Sequence, residues 1–213
     1  MKDTVDKILA KSKGVLALDW SPSTTKKQFE KVNLISTPEL NRVYREMLVT
    51  SPSLNDDVSG VILHDETIHQ KLSSGESFPE FLKTNGIVVG VRGDQEYEKY
   101  KDAEQNITIG LDGLAERVEE YAKLGIAFTK WRAGYKISDI YPSKDFIEES
   151  VNRLVEFAKV SHQFNMVPFV EPDVEIKGMH TTTRCAEITG VILERLFESL
   201  QKNQNKNYQI FRF

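Results

Sequence analysis

The sequence predicts an α/β fold in which a parallel sheet is covered by helices. Three observations carry this reading. Short apolar runs recur along the chain: V-L-A-L (15–18), G-V-I-L-H (60–64), I-V-V-G-V (87–91), A-F-T-K-W (127–131) and M-V-P-F-V (166–170). They lack the in–out alternation of a surface strand, which marks strands buried on both faces. The longer segments between them repeat apolar residues at three- and four-residue spacing, the period of a helix packed against a sheet.

In chain order, 15–18 is a buried-type strand. Thr37 then caps a helix that has Pro38 at its first position and an apolar face of Leu40, Val43, Tyr44, Met47 and Leu48. Strands at 60–64 and 87–91 follow. Residues 93–110 are polar and read as a mobile loop. A helix over 112–124 turns Leu114, Val118 and Tyr121 inward. The fourth strand, 127–131, leads to a helix over 143–163 with Ile147, Val151, Leu154, Val155 and Ala158 on one stripe. The fifth strand, 166–170, leads to a helix over 181–200 with Cys185, Ile188, Ile192 and Leu196 inward. No internal repeat is found. The tail Q-K-N-Q-N-K-N-Y-Q-I-F-R-F departs from the pattern, so the domain reading is a barrel-type unit over 1–200 and a divergent polar tail over 201–213.

Composition narrows the function. The chain has 213 residues, 39% of them hydrophobic, and a net charge of −4. Mild acidity without basic stretches argues against nucleic acid. No apolar run approaches the ~20 residues a membrane span needs, and the start M-K-D-T-V-D-K-I-L-A has no signal-peptide core. A single cysteine, Cys185, excludes an internal disulfide and fits a reducing cytoplasm.

The informative feature is charge at the ends of apolar runs. Side chains alternate faces along a strand, so Phe128, Lys130 and Arg132 share one face. By the same count Asp19 shares a face with Val15 and Ala17, Glu66 with Ile62 and His64, Arg92 with Val88 and Gly90, and Glu171 with Val167 and Phe169. Ionisable groups gathered at strand carboxyl ends are the layout of a parallel barrel, whose reactive groups ring one mouth. An open doubly wound sheet would also place function at carboxyl ends, but G-x-G-x-x-G and G-x-x-x-x-G-K-[ST] are both absent from the sequence.

Asp19, Arg92, Lys130, Arg132 and Glu171 at one mouth would mix both signs of charge. A lysine among cations and away from water gives up its proton more readily. A neighbouring carboxylate can relay that proton. Arg92 and Arg132 suit phosphate oxygens, and Ser21 and Thr24 offer hydroxyls to the same anion. The sum points to a small, phosphorylated, carbonyl-containing substrate. Blander expectations apply elsewhere: His64 and Glu66 pack or bond locally, His69, His162 and His180 are ordinary surface residues, Trp131 packs beneath a helix, and Lys136 is solvated. No His/carboxylate spacing suits a metal.

At these residues the chain resembles class I fructose-bisphosphate aldolase. The resemblance is carried by K-G-V-L-A-L-D-W-S (13–21), G-V-I-L-H-D-E-T (60–67), G-I-V-V-G-V-R-G-D (86–94), G-L-D-G-L-A-E-R (110–117), F-T-K-W-R (128–132), V-P-F-V-E-P-D-V (167–174) and R-C (184–185), and covers roughly residues 8–200. It implies a (β/α)8 TIM barrel, of which this chain holds about the first five to six strands. It also implies reversible cleavage of fructose 1,6-bisphosphate to dihydroxyacetone phosphate and glyceraldehyde 3-phosphate through a lysine Schiff base, in glycolysis, with no cofactor and no metal. By resemblance, Asp19 handles the C4 hydroxyl proton, Lys130 helps form and break the imine, and Glu171 shuttles protons. Ser21, Thr24 and Arg92 bind phosphate, and Arg132 is a neighbouring site arginine. A cytoplasmic homotetramer is implied as well.

The sequence departs from the family at Trp20 and Asp173, where members carry glutamates, and at Gln28, where animal members carry an arginine. Thr24 stands for a serine and Arg92 for a lysine. The imine lysine of the family lies in a strand-six run like L-L-K-P-N-M, which these 213 residues lack. Y-Q-I-F-R-F occupies that register with Arg212 near the lysine position, and an arginine stays protonated. No residue of the chain is therefore assigned as the Schiff-base lysine. The alternative expectations are an inactive truncated product and a non-catalytic phosphosugar-binding protein.

Overall fold

Three of the apolar runs become the first three strands, and the first of them, expected to be buried, buries only Leu18. β1 (Gly14–Leu18), β2 (Val58–Leu63) and β3 (Val88–Arg92) pair in parallel, with Leu18 opposite Leu63 and Leu63 opposite Val91. β2 lies between the other two, and Val61 and Leu63 are fully buried. Ala17, on the edge strand β1, is exposed. A computed structural model of the chain describes residues 1–101 and 104–203. They form two compact units. The first comprises Met1–Arg92, Glu119–Thr129 and Asn165–Val167, and the second Gly93–Val118, Lys130–Phe164 and the residues from Pro168 on.

In the first unit, α1 (Lys2–Ile8) buries Val5 and Ile8, and the Ser59 hydroxyl of β2 donates to the Ile8 carbonyl. α2 (Pro22–Glu30) starts at Ser21, whose hydroxyl accepts from the Thr24 amide. α3 (Pro38–Val49) starts as its sequence foretells, with Thr37 as cap and Pro38 in the first turn. Short helices α4 (Leu54–Asp57) and α5 (Asp65–Ile68) flank β2, and α6 (Phe78–Thr84) is closed by a capping box between Ser77 and Glu80. The strands β6 (Phe128–Tyr135) and β7 (Val167–Val174) begin in this unit: the Ala127 amide donates to Val89, and the Val167 amide donates to Ala127. The strand order is β1-β2-β3-β6-β7. Gly90 is compulsory here, because a Cβ on it would come within 2.2 Å of the Phe128 ring.

The second unit carries the bodies of β6 and β7 and the long helices α8 (Lys144–Gln163) and α9 (Thr182–Lys202). α8 buries the whole expected stripe, together with Phe146 and Phe157. Each fully buried large apolar side chain contributes roughly 1.5–3 kcal/mol, so packing rather than propensity holds the helix. Trp131 packs as expected: it is fully buried, with its ring 5.4 Å from that of Phe157. Arg195 of α9 donates to Glu148 of α8 at 2.7 Å. α7 (Leu114–Lys123) buries Leu114, Val118 and Tyr121 as expected.

Several expectations are corrected. The polar stretch 93–110 is not a plain loop: it holds an antiparallel hairpin of β4 (Tyr97–Lys99) and β5 (Asn106–Thr108). Arg153 of α8 bonds the Thr108 carbonyl and Glu98, and the Tyr100 ring meets Phe146 edge-on at 5.2 Å, so contacts with α8 rather than periodicity organise it. The inward face of α3 is Asn41, Arg45 and Val49, while Val43 and Met47 are exposed. Glu66 lies on α5 rather than on the strand, because β2 ends at Leu63 and His64 caps the helix. Cys185 is half-buried rather than core, and His162 and His180 are half-buried rather than surface residues. Sequence periodicity did not resolve α1, α2, α4, α5 and α6, and β6 and β7 run several residues beyond the apolar runs that announced them. Most of the tail, including Arg212, lies outside the described residues.

Candidate active site

In the first unit, strand register sets the candidate residues in line. Leu18, Leu63 and Val91 are level with one another, and Asp19, His64 and Arg92 each come next in the chain. Asp19 is 8% exposed and Arg92 is half-buried. The Arg92 charge is felt at His64, whose imidazole is held below its usual range by burial first, then by Arg45 and Arg92. His64 Nδ1 accepts from the Glu66 amide, so His64 bonds locally, as the sequence suggested.

Ser21 and Thr24 come together through a helix cap. Their hydroxyls lie 3.1 Å apart, and the Thr25 hydroxyl donates to the Ser21 carbonyl. Ser21 is buried. The α2 N-terminus thus presents two hydroxyls beside backbone N–H groups, a combination suited to an anion.

The second unit brings together the most telling pair. Lys130 Nζ lies 2.8 Å from Glu171 Oε2, with the lysine side chain 11% exposed and the glutamate 42%. Two residues further along both strands, Arg132 Nε donates to Asp173 Oδ2 at 2.6 Å, its Nη2 also touches that oxygen, and Nη1 donates to the Tyr97 hydroxyl. Residues two apart share a strand face, so β6 and β7 carry a ladder of two ion pairs. Burial opposes the charge on Arg132, but the Asp173 carboxylate more than restores it, holding the guanidinium above its usual range. The buried Asp94 carboxylate accepts the Arg132 amide, and the Arg132 carbonyl accepts from Thr108, fixing the backbone beneath the side chain. A cleft of about 450 Å³ opens beside Arg132, with Tyr97, Gln105, Tyr135, Lys136 and Asp173 in its lining. Burial lifts the Tyr135 phenol to about 12. Lys136 is exposed and pairs with Glu104.

An ammonium and a carboxylate in contact can exchange a proton when a substrate arrives, a serine–threonine helix cap can hold phosphate oxygens, and so can the fork of an arginine. Sequence reading missed Asp94 and Tyr97, which fell in a presumed loop, and Arg45, whose side chain is 2% exposed. The spacing of Asn41, Arg45 and Val49 is helical, but a stripe with two polar members reads as a solvent face.

Parallel strands with helices between them, carrying ionisable groups on or just beyond the strands, define a protein of the β/α-barrel class. Comparison with known proteins makes this particular. Residues 1–206 match the glycolytic family described as Fructose-bisphosphate aldolase class-I. A probable fructose-bisphosphate aldolase class 1 of Xylella fastidiosa is 39% identical over 94% of this chain and 60% of its own length. Fructose-bisphosphate aldolase B of Gallus gallus is 39% identical over 94% of this chain and 56% of its own. A structure of the aldolase of Plasmodium falciparum, in complex with TRAP and a small molecule inhibitor, superposes with a TM-score of 0.91 at 35% identity, covering 94% of this chain and 59% of that one. The chain belongs to the class I fructose-bisphosphate aldolase family, and its fold is part of that family's (β/α) barrel. It spans less than two thirds of the length of these relatives. Among the described residues no helix is long and apolar enough to cross a membrane.

Proposed function

We propose that this chain carries the proton- and phosphate-handling groups of fructose 1,6-bisphosphate cleavage to dihydroxyacetone phosphate and glyceraldehyde 3-phosphate through a lysine Schiff base. One observation carries the reading: the contact between Lys130 Nζ and Glu171 Oε2 at 2.8 Å. In imine formation a lysine amine adds to the C2 carbonyl and water leaves. Glu171 is the group that gives and takes the protons of that dehydration, with Lys130 stabilising the carbinolamine oxygen. Cleavage of the C3–C4 bond then releases the C4 hydroxyl proton to Asp19, and the electron pair of the bond passes into the iminium. Ser21, Thr24 and Arg92 hold one phosphate, and Arg132 bonds substrate oxygens nearby. The imine nitrogen is left unassigned, and the part of Lys130 is a supporting one. A cytoplasmic homotetramer accompanies this reading.

Reduction with borohydride in the presence of dihydroxyacetone phosphate, followed by peptide mass mapping, tests it. An adduct on a lysine of this chain is expected. A protein that binds fructose 1,6-bisphosphate in a calorimeter but is never modified supports the non-catalytic phosphosugar-binding alternative. Neither binding nor adduct refutes both.

A further inference from the structure

Trp20 sits between two proposed site residues, Asp19 and Ser21, and α3 grips it at two points. The Trp20 carbonyl accepts a hydrogen bond from Arg45 Nη2 at 3.0 Å, and the Trp20 ring stacks on Tyr44 at 6.4 Å between centroids and 16° between planes. Tyr44 is itself braced edge-on by Phe29 of α2 at 5.5 Å. The other arm of the Arg45 fork, Nη1, reaches Glu66 Oε2 at 3.2 Å, and the Glu66 amide is tied back to His64. An arginine this deeply buried is tolerated only when its charge and donors are met. Here they are met by a backbone carbonyl of the β1–α2 turn and a carboxylate of α5. Asp19 and Ser21 are buried, but Trp20 between them is still 41% exposed and contributes little burial of its own to hold the turn at its middle.

We infer that Arg45 is a positioning residue that fixes the Asp19–Ser21 turn, setting both the Asp19 carboxylate and the Ser21 cap of α2. What the turn does once fixed rests on the aldolase reading; how it is held rests on the α3 contacts alone. Loss of the fork leaves the Trp20 carbonyl and Glu66 Oε2 without this donor, and the turn loosens at its middle residue.

Hydrogen exchange and fructose 1,6-bisphosphate calorimetry on the full chain, comparing wild type with R45K, R45M and V49A, test this. Val49 lies one turn along the same buried face and controls for lost helix packing. R45M is expected to speed exchange of the Thr24 and Thr25 amides, which bond to Ser21, and to weaken sugar bisphosphate binding, each by about tenfold. R45K keeps one donor for the Trp20 carbonyl and recovers most of both effects. V49A lowers the urea midpoint but spares the turn. Should R45M fail to fold, Tyr44→Leu, which removes the stacking on Trp20 and the edge contact with Phe29 but leaves the Arg45 fork, is expected to give the same local exchange signature more weakly. Equal exchange in V49A and R45M, or none in either arginine variant, overturns the inference. A wild-type chain that does not bind the sugar refutes the aldolase reading instead, and the exchange result still decides the part played by Arg45.

Discussion

Lys130 and Glu171 meet at 2.8 Å on neighbouring strands, the ammonium nearly buried and the carboxylate partly open to water. Open water on one partner screens the pair, so its worth lies near the upper end of surface ion pairs. A double-mutant cycle with Lys130→Met and Glu171→Gln, read by urea denaturation, is expected to give a coupling of about 1 kcal/mol. A coupling indistinguishable from zero would mean that the contact exists without energetic consequence.

Gly90 has no room for a methyl group. A Cβ there would meet Phe128 ring atoms at 2.2–2.5 Å, and a ring packed in a sheet core yields little. Gly90→Ala is expected to cost about 3 kcal/mol. Adding Phe128→Leu, which withdraws the ring, recovers part of that loss. Thermal melts of the single and double variants check this: an unchanged melting temperature for Gly90→Ala contradicts the packing.

His64 gives stability a pH dependence. Burial and two arginines hold its folded value below the ordinary 6.5, so the unfolded chain binds the proton more readily. Its contribution is therefore present above about pH 6.5 and falls away as the pH drops through the folded value. Protonation also removes the Nδ1 lone pair that accepts the Glu66 amide. His64→Asn keeps an acceptor without the titration and is expected to flatten the stability curve between about pH 7.5 and 5.5. His162, also lowered by burial, supplies a background common to both proteins. Parallel curves for wild type and variant would rule His64 out.

Arg132 separates binding from stability. Its ion pair with Asp173 is roughly half open to solvent, so Arg132→Lys is expected to shift the urea midpoint by less than about 0.5 kcal/mol. The same change removes the fork that grips a phosphate or carboxylate, and weakens fructose 1,6-bisphosphate binding about tenfold. Calorimetry and denaturation on one preparation measure both. Equal binding by both proteins would remove Arg132 from the phosphate-handling set.

Much of the fold is written locally. Thr37-Pro38 begins the helix it foretells, and the helices expected from 143 and from 181 start on the caps Ser143 and Thr181, because a cap acts over three residues. The stripes of α8 and α9 fall where helical spacing puts them, apart from the half-buried Cys185, and the apolar runs mark all five strands of the larger sheet. The candidate residues were legible as types, but Lys130, Arg132 and Glu171 lie within strands β6 and β7 rather than at their ends.

By itself, then, the sequence determined where the long helices and the strands of the larger sheet begin and which residue types stand on or next to those strands, since these depend on neighbours within a few positions. Tertiary structure alone decided that Lys130 faces Glu171, that the 93–110 stretch pairs with itself under the hold of Arg153, and that α3 turns Arg45 inward. The physical reason is the same in each case. The favourable energy of a charge depends on a partner distant in sequence, and periodicity ranks a buried arginine as exposed until the Trp20 carbonyl and Glu66 are in place to receive it.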